Sequence, residues 1–95
     1  MVVGIGKIKF KIHDSRSLKA KRSIVKSIIG HLRNKFNASV AEVGLNDAHQ
    51  IAEIGFAIVG NDKSVINSAV DKIFNVAEEL GLAELFDSEM EIIAL

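Results

Sequence analysis

Along the chain the spacing of apolar residues switches repeatedly between a period of two and a period of 3.6, and these switches define the elements. Residues 2–13 alternate: Ile8, Phe10 and Ile12 fall on one side, Lys7, Lys9 and Lys11 on the other, which predicts a half-buried strand. Gly4 and Gly6 weaken its start and mark a bulge or a close neighbour. A polar turn at residues 14–17 follows, and Ser17 is a natural N-cap for a helix from Leu18 to Phe36. At 100° per residue, Leu18, Val25, Ile28, Ile29, Leu32 and Phe36 form one apolar stripe. Lys21 falls inside that stripe, where it is expected to lay its stem on the core edge and keep its charge in water. Asn37 is expected to end the helix in the left-handed conformation.

Ala38–Leu45 then reads as a short strand, residues 44–47 as a turn and Gln50–Gly60 as a second alternating strand, so the pair is a hairpin with a loop longer than two residues. Asn61 and Asp62 cap a second helix from Lys63 to Leu80, with Ile66, Ala69, Val70, Ile73, Ala77 and Leu80 at helical spacing and Gly81 at the C′ position. Phe86–Leu95 is the last strand, with Met90 and Ile92 facing one way and Glu89, Glu91 and Ile93 the other. The order β-α-β-β-α-β is that of an α+β, ferredoxin-like sandwich, two helices covering one face of a four-stranded antiparallel sheet. Right-handed crossovers put the first and third strands in the centre and the last strand beside the first.

Ninety-five residues with neither proline nor a Gly/Ser-rich linker read as one domain, residues 1–95. The absence of cysteine excludes a disulfide framework, a thiolate metal site and a thiol nucleophile. The N-terminal stretch lacks the pattern of a signal peptide and no apolar run approaches a membrane span, so a cytoplasmic protein without a membrane partner is expected. The formal net charge is zero, yet it is unevenly distributed. Residues 1–35 hold ten Lys/Arg against one acid, a net +9; residues 36–95 hold two lysines against eleven acids, a net −9. Such polarity either builds a basic surface for an anionic partner or cancels when the halves interleave in space.

The run 17–27, SLKAKRSIVKS, and the run 36–43, FNASVAEV, resemble the YlxP-like family of small bacterial proteins, and the resemblance extends over essentially the whole chain. It implies a ferredoxin-like fold and no defined chemical activity. Members of that family tend to be encoded beside translation and ribosome-maturation factors, which implies an RNA-related role by association. The family usually carries an Asp and a Gln around the hairpin, matched here by Asp47 and Gln50.

The chemistry most strongly suggested by the residues themselves is on the first helix. Lys19, Arg22, Lys26 and Arg33 fall on one flank, Lys21 nearby and Arg16 just before, while Ala20, Ser23, Ser27, Gly30 and Asn34 make a far side of small residues. Lys and Arg aligned in this way can neutralise several phosphates and release their counterions. The helix N-terminus, with the hydroxyls of Ser15 and Ser17, favours an anion. Arg16, Lys19, Lys21, Arg22, Lys26 and Arg33 are therefore the candidate nucleic-acid-binding residues. The competing reading is a solvated basic face balanced by acids of the second helix.

The lysine row of the first strand reads differently. Lys7, Lys9 and Lys11 are expected to face Glu89 and Glu91 on one side and Glu53 on the other, a charge ladder rather than a nucleic-acid site. The strand phenylalanines Phe10 and Phe56 fall on the helix-covered face and the chain has no Tyr or Trp, so base stacking on the sheet is not expected. Val3, Ile5, Ala57, Val59 and Ile93, with Leu95, share the open face and form a candidate homo-oligomer interface. His13, His31 and His49 are scattered without metal-ligand spacing. Acylphosphatase-like domains share this topology but hold phosphate in a glycine-rich loop after the first strand; here that loop, residues 13–17, has no glycine, and Asp14 would repel the anion. The sequence thus points to a non-enzymatic module, without cofactor or metal, that binds RNA or a ribonucleoprotein. The rival is a homo-oligomeric adaptor working through the open sheet.

Overall fold

The computed structural model describes residues 1–13 and 16–95. Its elements run β1 (Val2–Lys11), α1 (Leu18–Lys35), β2 (Ser39–Gly44), β3 (Ile51–Gly60), α2 (Lys63–Glu79) and β4 (Glu84–Ala94). All strand pairs are antiparallel and the sheet order is β2-β3-β1-β4, the arrangement expected from right-handed crossovers. The fold is the ferredoxin-like α+β sandwich.

The alternating pattern of β1 decides which face is covered. Ile8, Phe10 and Ile12 are buried beneath the helices, as are Ala52, Ile54, Phe56 and Ile58 from β3 and Val40 from β2. Helix α1 adds Val25, Ile28 and Leu32, and α2 adds Ile66, Val70, Ile73 and Ala77. Burying each of the Val, Leu, Ile and Phe side chains among these contributes roughly 1.5–3 kcal/mol, so the layer between helices and sheet holds the fold together. The early glycines of β1 mark close neighbours, not a bulge. A Cβ on Gly6 would lie 2.3 Å from the Phe56 ring, and one on Gly4 2.7 Å from Ile66. Phe56 can therefore lie flat over the sheet and meet Phe74 of α2 edge to face, with ring centroids 5.5 Å apart.

Caps set the helix ends. Ser17 accepts from the Ala20 amide at 3.1 Å, and Asp62 accepts from the Ser64 and Val65 amides at 2.9 and 3.1 Å. Those bonds, Val65's foremost, hold the Asp62 carboxyl below its ordinary pKa. Gly81, at φ +66°, takes the left-handed position after α2. Asn37 does not do so after α1. That helix stops at Lys35, with Phe36 turning to extended backbone at φ −125°. The chain needs no left-handed residue there because it passes directly into β2. Among the described residues the non-glycine position with positive φ is instead Leu45, at φ 58°, in the loop after β2. Register irregularities occur in two places, between Glu42 and Gly44 in β2, and in β4 opposite Lys9 and Phe10.

Candidate nucleic-acid interface

Residues 19, 22, 26 and 33 recur at intervals of three, four and seven, which on an α-helix confines them to a sector of about 60°. Because α1 buries the stripe Lys21, Val25, Ile28 and Leu32, this sector lies on its exposed side. Lys19, Arg22 and Lys26 are exposed, as is Arg16 just ahead of the cap. Within α1 there is no Asp or Glu to neutralise them. Among the described residues, no carboxylate lies within 4.0 Å of Arg16, Lys19, Arg22 or Lys26. The result is a cluster of four cations open to solvent.

Two of the expected residues are engaged elsewhere. Lys21 does not carry its charge to water. Its side chain is wholly buried, and its Nζ donates to the Leu45 carbonyl at 2.6 Å and lies 3.1 Å from Glu42 Oε2. The register of β2 explains this. Glu42 pairs with Ile54, so it points into the helix-covered layer with Val40. A cation in the α1 stripe and an anion in the core phase of β2 thus meet. Glu42 Oε2 is buried without a hydrogen bond of its own, so the contact is an ion pair; Oε1 accepts from Asn46 at 3.3 Å. Lys21 is therefore a structural tie between α1 and the hairpin loop, unavailable to a nucleic acid. Arg33 is exposed as a whole, but its Nη2 donates to the Val40 carbonyl at 2.6 Å in a part-buried bond. Val40 belongs to the edge strand β2, so this bond sets the basic flank on the β2 side of the molecule.

At the helix start, the Ser17 oxygen accepts from the Ala20 amide, the place an anion at this terminus would take. Ser15, with Asp14, lies outside the described residues.

On the open face the charge ladder forms in part. Lys7 lies 3.6 Å from Glu53 and 3.5 Å from Glu89, and these carboxylates, Glu53 first, raise its pKa above the ordinary 10.5. Lys9 stands opposite Glu53 and Asp87. The expected facing of Glu91 to a lysine does not occur, because its register partner is Ile5. Lys11 sits 5.4 Å from the Phe86 ring centroid, over the residue that the β4 irregularity turns outward. Val3, Ile5 and Ala57 are half-buried on this face, while Val59 and Ile93 are exposed.

The histidines are held separately. His13 Nε2 is 2.9 Å from Glu84, and His31 Nδ1 is 2.8 Å from the Ser27 carbonyl. Among the described residues no three His, Asp or Glu side chains converge on a metal position. Among the same residues, no helix is long and apolar enough to cross a membrane.

The Lys21–Glu42–Leu45 tie is the feature that reading the sequence missed. Its signal was present as two opposite charges, each at a core-facing phase of its own element. Val43, an apolar neighbour facing the other way, obscured the phase of β2.

Comparisons with known proteins bear on the family and the fold. The family model described as "Protein of unknown function (DUF503)" matches residues 3–90. The uncharacterised protein YlxP of Bacillus subtilis (strain 168) is 36% identical over 62 residues, covering 65% of this chain and 67% of that protein. Among solved structures, the structural-genomics protein YJCS superposes with a TM-score of 0.59 at 11% identity, over 97% of this chain and 99% of its own. A de novo designed protein with a ferredoxin fold, LFR1 1, superposes with a TM-score of 0.58 at 16% identity, over 100% of this chain and 88% of its own. At such identities these two structures speak for the fold alone.

Proposed function

The chain belongs to the DUF503 family, and from that premise we propose that it is a non-enzymatic, cytoplasmic module that binds structured RNA or a ribonucleoprotein through the exposed flank of α1. One observation carries this reading: Arg16, Lys19, Arg22 and Lys26 stand exposed together, with no carboxylate of the described residues in ion-pair range. Cations so placed engage phosphates without first giving up a partner. The far side of the helix is built of small residues, Ser23, Ser27 and Gly30, which lets a nucleic-acid backbone approach the flank. Arg33 contributes less than its position on the flank suggests, because its guanidinium already serves Val40.

Affinity that rests on about four phosphate contacts falls about 50- to 150-fold between 50 and 200 mM salt. Fluorescence anisotropy with a labelled structured RNA measures this directly. Lys19→Glu with Arg22→Glu is expected to abolish the salt-sensitive binding; unchanged affinity in that double variant would show the reading to be wrong. The alternative of a self-assembling adaptor uses the opposite face of the molecule, so variants on one face leave the other intact.

A further inference from the structure

The open face of the sheet has a shape and a charge pattern of its own. Small residues on β2 and β3, Ala41, Gly55 and Ala57, leave a groove of about 580 Å³ between Val43 on one wall and Glu89 and Glu91 on the other. One register step away, at the level of Val3, Val59 is 67% exposed and Ile93 42% exposed, so an apolar ridge borders the groove. Hollow and ridge on a single surface are shape-complementary to a second copy of that surface.

The charges agree with this. Lys7, Lys9 and Lys11 share the face with Glu53, Glu84, Asp87, Glu89 and Glu91, three cations against five anions. An interleaved surface with a small negative excess does not attract a polyanion, and its opposite charges can pair across to a second copy. The α1 flank, with four cations and no acid, would repel itself, so it is not the self-contact.

Area then decides how much of the face takes part. Strands of ten residues spaced about 4.8 Å apart give a sheet face of about 600 Å² in projection, and the apolar end is less than half of it. A stable interface covers about 800 Å² of accessible surface on each partner. The apolar end alone falls well short, whereas the whole corrugated face approaches the requirement.

We infer that a second copy of this chain covers the open sheet face, and that the contact spans the charged rows as well as the apolar end. This rests on the self-association reading of that face and adds its extent. Sheets meet inside the dimer and helices stay outside, which leaves both α1 flanks free for RNA.

Sedimentation equilibrium from about 1 to 100 µM is the test, with circular dichroism and thermal melting to show that each variant folds. The wild type is expected to be a dimer at the upper end. Val59→Glu, at an exposed position, is expected to weaken association by at least about tenfold. Val65→Glu, equally exposed on α2 and off the face, is expected to leave it unchanged. Lys9→Glu makes its row wholly acidic and is expected to weaken association about tenfold; adding Asp87→Lys is expected to restore it. A monomer at every concentration, or a dimer indifferent to Val59→Glu, overturns both the self-association reading and the inference. A dimer lost in Val59→Glu but indifferent to Lys9→Glu keeps that reading and overturns the inference about the charged rows.

Discussion

The two basic regions of this molecule are built from the same residue types and behave in opposite ways. On the open sheet face Lys7 lies between Glu53 and Glu89, and Lys9 stands across from Glu53 and Asp87. On α1 the flank cations have no such neighbours among the described residues. The difference follows from topology. A central strand has a neighbour on each side, and alternate residues of three adjacent strands share a face, so acids on that face of β3 and β4 meet lysines on β1 wherever the register sets them opposite. A helix flank beside an edge strand has no such opposing row. A count of lysines therefore says little about available positive field; the element that carries them decides it. Lys21 is a third case, a cation that belongs to neither surface because its partner reached it inside the core.

The largest expected effect tests whether Lys21 is as distinct from the flank as its burial implies. Lys21→Ala would leave the buried Glu42 Oε2 without its cation, remove the bond to the Leu45 carbonyl and open a void in the α1 stripe; a loss of about 2–4 kcal/mol is expected in urea unfolding, against changes within about 0.5 kcal/mol for Lys19→Ala or Lys26→Ala. Lys21→Met should cost less than Lys21→Ala, because it keeps the buried volume. If Lys21→Ala were as mild as the flank variants, the separation between structural and available cations would fail.

Next in size is a contrast between the two sides of the sheet. Gly6→Ala would drive a methyl into the Phe56 ring and is expected to cost about 1–3 kcal/mol. Gly55→Ala meets Val43 first, an exposed side chain on the open face that can turn away, and should change stability by less than about 0.5 kcal/mol. Thermal melts of the two variants side by side measure whether one face is packed and the other has room.

A smaller effect sharpens the assignment within the flank. Arg22→Ala should reduce the slope of log affinity against log salt by about 0.7–0.9, the loss of one phosphate contact, with stability unchanged. Arg33→Ala should do the reverse, lowering stability by about 0.5–1.5 kcal/mol through the lost Val40 bond while moving the slope less.

The smallest effects are in the pH dependence. Lys7 has a raised pKa, so the stability its carboxylate neighbours confer is complete below its ordinary value of 10.5 and fades as pH rises through the folded value. Asp62 has a lowered pKa, so its cap contributes fully above its ordinary value of 3.8 and fades as pH falls through the folded value. Melting temperature against pH should show a flatter alkaline limb in Lys7→Gln and a flatter acid limb in Asp62→Asn.

The order and type of all six elements were legible in the sequence, because the repeat of apolar positions reports local backbone geometry and is unaffected by what lies across the core. The caps at Ser17 and Asp62 and the left-handed Gly81 were legible for the same reason, each being a bond or conformation within a few residues. The basic flank of α1 was legible as a pattern. Which of its cations stayed available was not. Lys21 occupied a position where a lysine can either reach water or be buried beside an anion, and the choice depended on Glu42, whose inward direction is set by the pairing of β2 with β3. Arg33 likewise found its acceptor, the Val40 carbonyl, on a different element, β2. Periodicity along one element is a property of that element, whereas the partner of a charge is a property of two elements brought together, and only the folded chain brings them together.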